Sequence, residues 1–61
     1  MSKSIKSQID TLFKERKLIR DQLYEALVMN NENLELQLAD ELARIRDRII
    51  SLYRVSKRLS E

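Results

Sequence analysis

The side chains that could do chemistry in this sequence are nearly all simple charges, twelve lysines and arginines and ten aspartates and glutamates. The chain contains no histidine and no cysteine, so an ordinary zinc site, a disulfide and the commonest general base are all excluded. The adjacent carboxylates Asp40 and Glu41 are more simply explained as acids in the first turns of a helix. Without glycine there is also no glycine-rich phosphate loop. We therefore expect no catalytic residue, no metal site, no cofactor and no enzymatic activity.

The charges are distributed unevenly along the chain. Between Asp21 and Ala43 there are six acidic residues and no basic one, whereas the remainder holds all twelve basic residues and four acids. If the chain folds back in the middle, it forms a rod with an acidic tip and a basic open end. Two such rods bring unlike charges together only when they lie antiparallel. The charge pattern therefore predicts antiparallel association.

The basic half of the chain supports an alternative function, the binding of RNA or DNA. Lysines and arginines can contact phosphates, and an aromatic ring such as Tyr53 can stack on a base. The residues expected to make these contacts are Lys3, Lys6, Phe13, Lys14, Lys17, Arg54, Lys57 and Arg58. Acids alternate with these bases, so a solvated surface with charge pairs inside each helix explains the pattern equally well. Attachment to a membrane surface is less favoured, because acids lie on the polar faces and the apolar faces are needed for a core.

Hydrophobic spacing predicts the elements that position these charges. Apolar residues recur at every third or fourth position in two stretches, which indicates two amphipathic helices. Three asparagines lie between them at Asn30, Asn31 and Asn33, and asparagine both ends helices in the left-handed conformation and caps new ones. The first helix can be capped by Ser4 or Ser7. We predict an all-α antiparallel hairpin with helices over about 4–29 and 34–59 and a turn over about 30–33. A single helix about 90 Å long is the alternative.

The predicted core is one seam along each helix. The seam of the first helix includes Ile9, Leu12, Arg16, Ile19 and Leu23. The seam of the second helix includes Leu34, Leu38, Leu42, Ile45, Ile49, Leu52 and Leu59, with an interruption at Ser56. Arg16 is a charge where a hydrophobic residue is expected, level with Ile45 in a hairpin, and Glu41 is the nearest candidate partner. A charge at this position is costly unless it reaches water or a carboxylate, and it can specify register and oligomeric state.

Self-association is expected because a chain of 61 residues buries only about 60% of its unfolded surface. Disulfides and metals are unavailable, which leaves oligomerisation as the source of further stability. A second stripe on the second helix, Ala39, Ala43 and Ile50, could pack against another copy and complete a four-helix bundle. The alternative is that two exposed alanines simply favour the helix.

The resulting hypothesis is a small regulatory or adaptor protein that acts as an antiparallel homodimer on another, unidentified protein. No apolar run approaches the ~20 residues needed to span a bilayer. The first residues also lack the apolar block of a signal peptide. A soluble, cytoplasmic protein is therefore expected.

The whole chain resembles the Rop-type RNA-binding hairpins in its length, turn position and seam. The likeness includes the basic residues Lys3 and Lys6, the central Phe13, and the triplet Leu52-Tyr53-Arg54, which is displaced along the helix. Members of that family are antiparallel dimers of hairpins whose first helices bind paired RNA loops. The resemblance therefore implies a four-helix bundle with an RNA-binding surface.

The segment from Arg20 to Ile45 also resembles the sporulation-type aspartyl-phosphate phosphatases. The similar residues are Arg20, Leu23, Tyr24, Glu41 and Leu42. The signature of that family is Ser-Gln-Glu-Leu-Asp, and the aligned stretch here reads Ala39-Asp40-Glu41-Leu42-Ala43. This resemblance implies a helical hairpin that acts on a phosphorylated aspartate, but the serine and the final aspartate of the signature are absent here.

Overall fold

The computed structural model describes residues 4–59 and consists, over that range, of two α-helices joined by a tight turn. Helix α1 spans Ile5–Val28, and helix α2 spans Glu32–Leu59, so α2 begins two residues earlier than predicted. The helices pack against each other in a rod measuring 46 × 18 × 15 Å. A single helix would be about twice as long. The all-α hairpin is therefore confirmed, and the alternative of one continuous helix is wrong.

Helix α1 begins at Ile5 because Ser4 caps it. The Ser7 backbone N–H donates to Ser4 Oγ at 3.1 Å, which satisfies one of the unpaired N–H groups of the first turn. Ser7 lies inside the helix, where its carbonyl oxygen accepts from the Thr11 hydroxyl at 3.0 Å. Of the two caps that the sequence allows, Ser4 is the one used.

The turn is built by two asparagines in different roles. Asn30 has a φ of 56°, the left-handed conformation that ends a helix. Its N–H donates to the Leu27 carbonyl at 3.2 Å, and the Asn31 N–H donates to the Ala26 carbonyl at 3.0 Å, the hydrogen bonds of a Schellman motif. Asn31 Oδ1 then accepts from the Leu34 N–H at 3.3 Å and caps α2. The sequence allowed either Asn31 or Asn33 to cap the second helix, and Asn31 is the one used, while Asn30 ends the first helix as expected.

The core is thin and runs along the line where the helices meet. Within residues 4–59 four hydrophobic side chains are buried: Ile9, Ala26, Leu38 and Ile49. The half-buried residues that continue the line are Ile5, Leu12, Arg16, Ile19 and Leu23 on α1 and Glu35, Leu42, Ile45, Leu52 and Ser56 on α2. Along both helices, successive residues of this line are alternately three and four positions apart. Of the residues from Ile9 to Leu52 that were predicted for the seam, all except Leu34 are therefore buried or half-buried.

The ends of the predicted α2 seam are corrected. Leu34 is 38% exposed and Leu59 is 73% exposed, whereas Glu35 and Ser56 are half-buried. The reason is phase, because the three-and-four spacing that includes Leu38 reaches back to residue 35 and not to residue 34. The core of α2 is thus polar at both ends.

Candidate interaction face

One side of the hairpin carries most of the unusual surface chemistry. The seven-residue period places Phe13 and Arg20 beside the α1 seam, and Ala39, Arg46 and Tyr53 beside the α2 seam on the same side of the hairpin. Ala43 and Ile50 lie in the next row of α2. We call this side, with Phe13, Arg16, Arg20, Ala39, Ala43, Arg46, Ile50 and Tyr53, the groove face.

A ring pair joins the two helices near the open end of the groove face. The centroids of Phe13 and Tyr53 are 6.5 Å apart with the ring planes at 66°, an edge-to-face arrangement. The Arg16 guanidinium carbon lies 5.2 Å from the Phe13 centroid, within the range of a cation–π interaction. The interaction with the Phe13 ring therefore offsets part of the cost of half-burying the Arg16 charge.

Glu41 does not pair with Arg16, contrary to the sequence-based expectation. Arg16 forms no ion pair with any carboxylate in residues 4–59, and Glu41 is exposed. Ion pairs in that range include Arg44 to Asp40 at 3.2 Å and Arg46 to Asp47 at 3.4 Å. Both are largely solvent-exposed, so each contributes little to stability.

The middle of the groove face is an open groove between the helices that is lined by three arginines. Arg16 and Arg20 border it from α1, and Arg46 borders it from α2. Its other lining residues are Leu23, Ala39, Leu42 and Ala43. No described carboxylate lines the groove, and Arg20 has no ion-pair partner among the described residues. The groove thus combines an apolar floor with concentrated positive charge.

The stripe predicted for dimer contact lies on this groove face. Ala43 is half-buried, Ala39 is exposed, and Ile50 is 42% exposed. The structure places the two alanines in the groove with Arg46, and Ile50 in a shallow depression with Tyr53. Sequence reasoning missed that Phe13, Tyr53, Arg20 and Arg46 share this face. The sequence contained a signal for this arrangement. Each of these four residues directly follows a predicted seam residue, and in two antiparallel helices those positions lie on the same side of the hairpin.

The residues predicted for nucleic-acid contact do not form one patch. Lys3 lies outside the described residues. Arg54 and Lys57 border the depression beside Tyr53, whereas Lys14 lies on the far side of α1, about 200° around the helix from Leu12. The described members of the set, apart from Phe13, are exposed cations on several sides of the rod: Lys6, Lys14, Lys17, Arg54, Lys57 and Arg58.

The opposite side of the hairpin has a groove of balanced charge. It is lined by Gln8, Thr11, Leu12, Glu15, Arg48 and Leu52. Glu15 from α1 and Arg48 from α2 give it one acid and one base. Of these two grooves, the one on the groove face is therefore the one whose lining has arginines and no acid.

No family model, no curated protein and no solved structure matches this chain. Within residues 4–59 neither helix is apolar enough over a sufficient length to cross a membrane. The same range contains no group of three acidic, histidine or cysteine side chains that could hold a metal ion. The candidate site therefore stands on its own geometry.

Proposed function

We propose that this chain is a small, non-enzymatic regulatory or adaptor module that acts on a partner protein as a homodimer. In the dimer, two hairpins pack groove face against groove face as an antiparallel four-helix bundle. The observation that carries the proposal is the exposed apolar surface of the groove face: Phe13, Ile50 and Tyr53 beside Ala39 and Ala43. Because the core of the hairpin is thin, burying this surface in a dimer would add substantially to its stability.

The energetic argument compares what is buried with what remains in water. Four side chains of the described range are buried, whereas twelve large hydrophobic residues in the same range are exposed. The three of them on the groove face, Phe13, Ile50 and Tyr53, are 37%, 42% and 52% exposed, so burying the remainder of each contributes about 0.5–1.5 kcal/mol. A second hairpin that covers all three would therefore contribute about 2–4 kcal/mol, a substantial fraction of the stability of a small domain.

The positions of the small and large side chains along the groove face favour the antiparallel arrangement. In an antiparallel pair that overlaps fully, each α2 lies beside the α2 of the other copy. A residue that precedes the centre of one α2 then lies beside the residue that follows the centre of the other α2 by the same distance. Ala39 and Ala43 of one copy therefore lie near Ile50 of the other. Small residues then face a large one, as good packing requires. The acidic turn of each copy also lies against the basic open end of the other.

The association itself is tested by sedimentation and thermal unfolding over a range of protein concentrations. We expect a monomer–dimer equilibrium and a Tm that rises with concentration, because dimerisation is linked to folding. A folded monomer that persists at high micromolar concentration would exclude the proposed homodimer.

The orientation is tested with spin labels, since the chain contains no native cysteine. Met29→Cys places a label at the turn, and Arg58→Cys places one at the open end; both native residues are exposed. In a mixture of the two variants, an antiparallel dimer gives a short turn-to-end distance and long distances between like labels, comparable to the 46 Å rod. Short distances between like labels would show a parallel dimer and contradict the proposal.

Nucleic-acid binding is the alternative function, and one observation favours it, the arginines and aromatic rings that share the groove face. A titration of RNA or DNA binding against salt separates the two functions. Phosphate neutralisation gives a steep dependence of log affinity on log salt, whereas a protein-binding module gives no saturable binding.

A further inference from the structure

The three groove arginines lie near the middle of the rod. Arg16 lies close to the centre of α1, which spans Ile5–Val28, and Arg46 lies close to the centre of α2, which spans Glu32–Leu59. Arg20 is one turn from Arg16 on the same side of α1. The groove therefore occupies the centre of the groove face and not one of its ends.

This central position has a consequence for the proposed homodimer. In a symmetric antiparallel bundle the two-fold axis passes through the middle of the interface. At the ends of the bundle an acidic turn meets a basic open end, but at the axis each copy's arginines meet the same arginines of the other. Like charges brought together in a partly desolvated interface repel strongly. Among residues 4–59, no carboxylate lines the groove to compensate them.

We propose that the arginine groove binds a doubly charged tetrahedral oxyanion, namely phosphate as a free ion or as a phosphoryl group, and that this binding is coupled to dimerisation. The inference rests on the proposed homodimer. Guanidinium groups donate pairs of parallel N–H bonds that match the oxygens of a phosphate. One such anion between the two clusters converts their repulsion into attraction.

The contacts that the arginines already make leave their charge available. Arg16 stacks on Phe13, which orients its charge without neutralising it. Arg46 has Asp47 at 3.4 Å, but both side chains are more than 60% exposed, so water screens that pair. A compact anion fits this site better than a nucleic-acid strand, because the site is one cluster at the centre of an interface and not a continuous basic track.

The test measures the dimer dissociation constant by sedimentation at one pH and one ionic strength in sodium chloride, sodium sulfate and sodium phosphate. We expect association to be roughly tenfold tighter in phosphate and sulfate than in chloride, a usual strength for coupled binding. A phosphoserine peptide, compared with its unphosphorylated form in chloride buffer, identifies the source. Tightening by free phosphate indicates the ion, whereas tightening by the phosphopeptide alone indicates a phosphorylated ligand.

Two variants assign the effect to the groove. Arg20→Leu removes one groove arginine, so it should dimerise in chloride at least as well as the unmodified chain and lose most of the phosphate response. Arg44→Leu is the matched control, because Arg44 is exposed, pairs with Asp40 outside the groove, and should retain the full response. Equal association in all buffers with no effect of the phosphopeptide overturns the inference. A phosphate response that survives Arg20→Leu also overturns it.

Phosphorus NMR separates this inference from the proposed dimer. If no association occurs in any buffer but the phosphate line broadens with the unmodified chain and not with Arg20→Leu, the arginine groove binds the anion, but the homodimer and the coupling to dimerisation both fail. If the dimer forms identically in every buffer without broadening, the homodimer stands and the anion site fails. Absence of both association and broadening excludes both.

Discussion

The two sides of this hairpin share the same helices and the same seam, yet they expose different chemistry. The groove face has Arg16, Arg20 and Arg46 around an apolar floor, with no described acid in the lining. The opposite groove sets Glu15 of one helix beside Arg48 of the other, with Gln8 among its other lining residues. A charge-balanced polar surface is compatible with water, whereas an exposed apolar surface is the kind of surface at which proteins associate. The seam determines the fold, and the flanking positions determine the chemistry that each side of the hairpin exposes.

The strongest test of this comparison places the same charge on the groove face and at a position outside both grooves. Ile50→Lys introduces a cation into the apolar part of the groove face, where Ile50 is 42% exposed. Leu18→Lys introduces one at a position that is 64% exposed and lies outside both grooves. We expect Ile50→Lys to weaken dimerisation by at least tenfold, because it adds a like charge to a basic face and buries that charge in the interface, and Leu18→Lys to leave it within a factor of about two.

Sedimentation equilibrium measures both dissociation constants, and circular dichroism confirms that each variant stays helical at the concentrations used. Equal loss of association in the two variants would mean that the groove face is not the interface. A greater loss for Leu18→Lys would assign the interface to the outer surface of α1.

Arg16→Leu tests the groove face from its centre and has the next largest expected effect. Arg16 is a half-buried charge in the seam, and replacing it with a hydrophobic residue removes the cost of desolvation. We expect an increase of about 1–2 kcal/mol in the free energy of unfolding, or about 4–15 °C in Tm. The same change should reduce structural uniqueness, because a buried polar group can specify register and oligomeric state. Mixed oligomers should then appear in sedimentation.

Arg48→Leu is the control for this prediction, because Arg48 lines the balanced groove and is exposed. It should change Tm by no more than about 2–4 °C. If Arg16→Leu leaves both stability and a single dimer unchanged, the charge of Arg16 costs no stability and does not specify the oligomeric state.

The sequence was sufficient for the hairpin because the relevant signals are local. The left-handed conformation of Asn30 and the cap from Asn31 depend on residues within a few positions of each other. The ends of the α2 seam could not be predicted from hydrophobicity alone, since Glu35 is half-buried and Leu34 is exposed by the phase of the contact between helices. Packing against α1 takes precedence there over the preference of each residue for water or the interior.

The groove required the fold, because its arginines come from both helices. Arg20 and Arg46 are far apart in the sequence and meet across the hairpin. The contact between Arg16 and Phe13 is different, because the two residues are three positions apart on α1 and helical spacing alone makes them neighbours. The sequence-based prediction searched for a carboxylate across the hairpin and overlooked this ring.

The smallest predicted effect concerns the exposed ion pair between Asp40 and Arg44, which lies outside both grooves. The two side chains are one turn apart on α2, with the acid nearer the N-terminus, and their atoms approach to 3.2 Å. That order suits the helix dipole, but such pairs stabilise a helix by only about 0.2–0.5 kcal/mol. In a double-mutant cycle of Asp40→Asn and Arg44→Gln, we expect a coupling free energy within this range that disappears in high salt. A coupling above about 1 kcal/mol would show that this outer surface is desolvated in the native assembly, and the difference between the groove face and the rest of the hairpin would no longer hold.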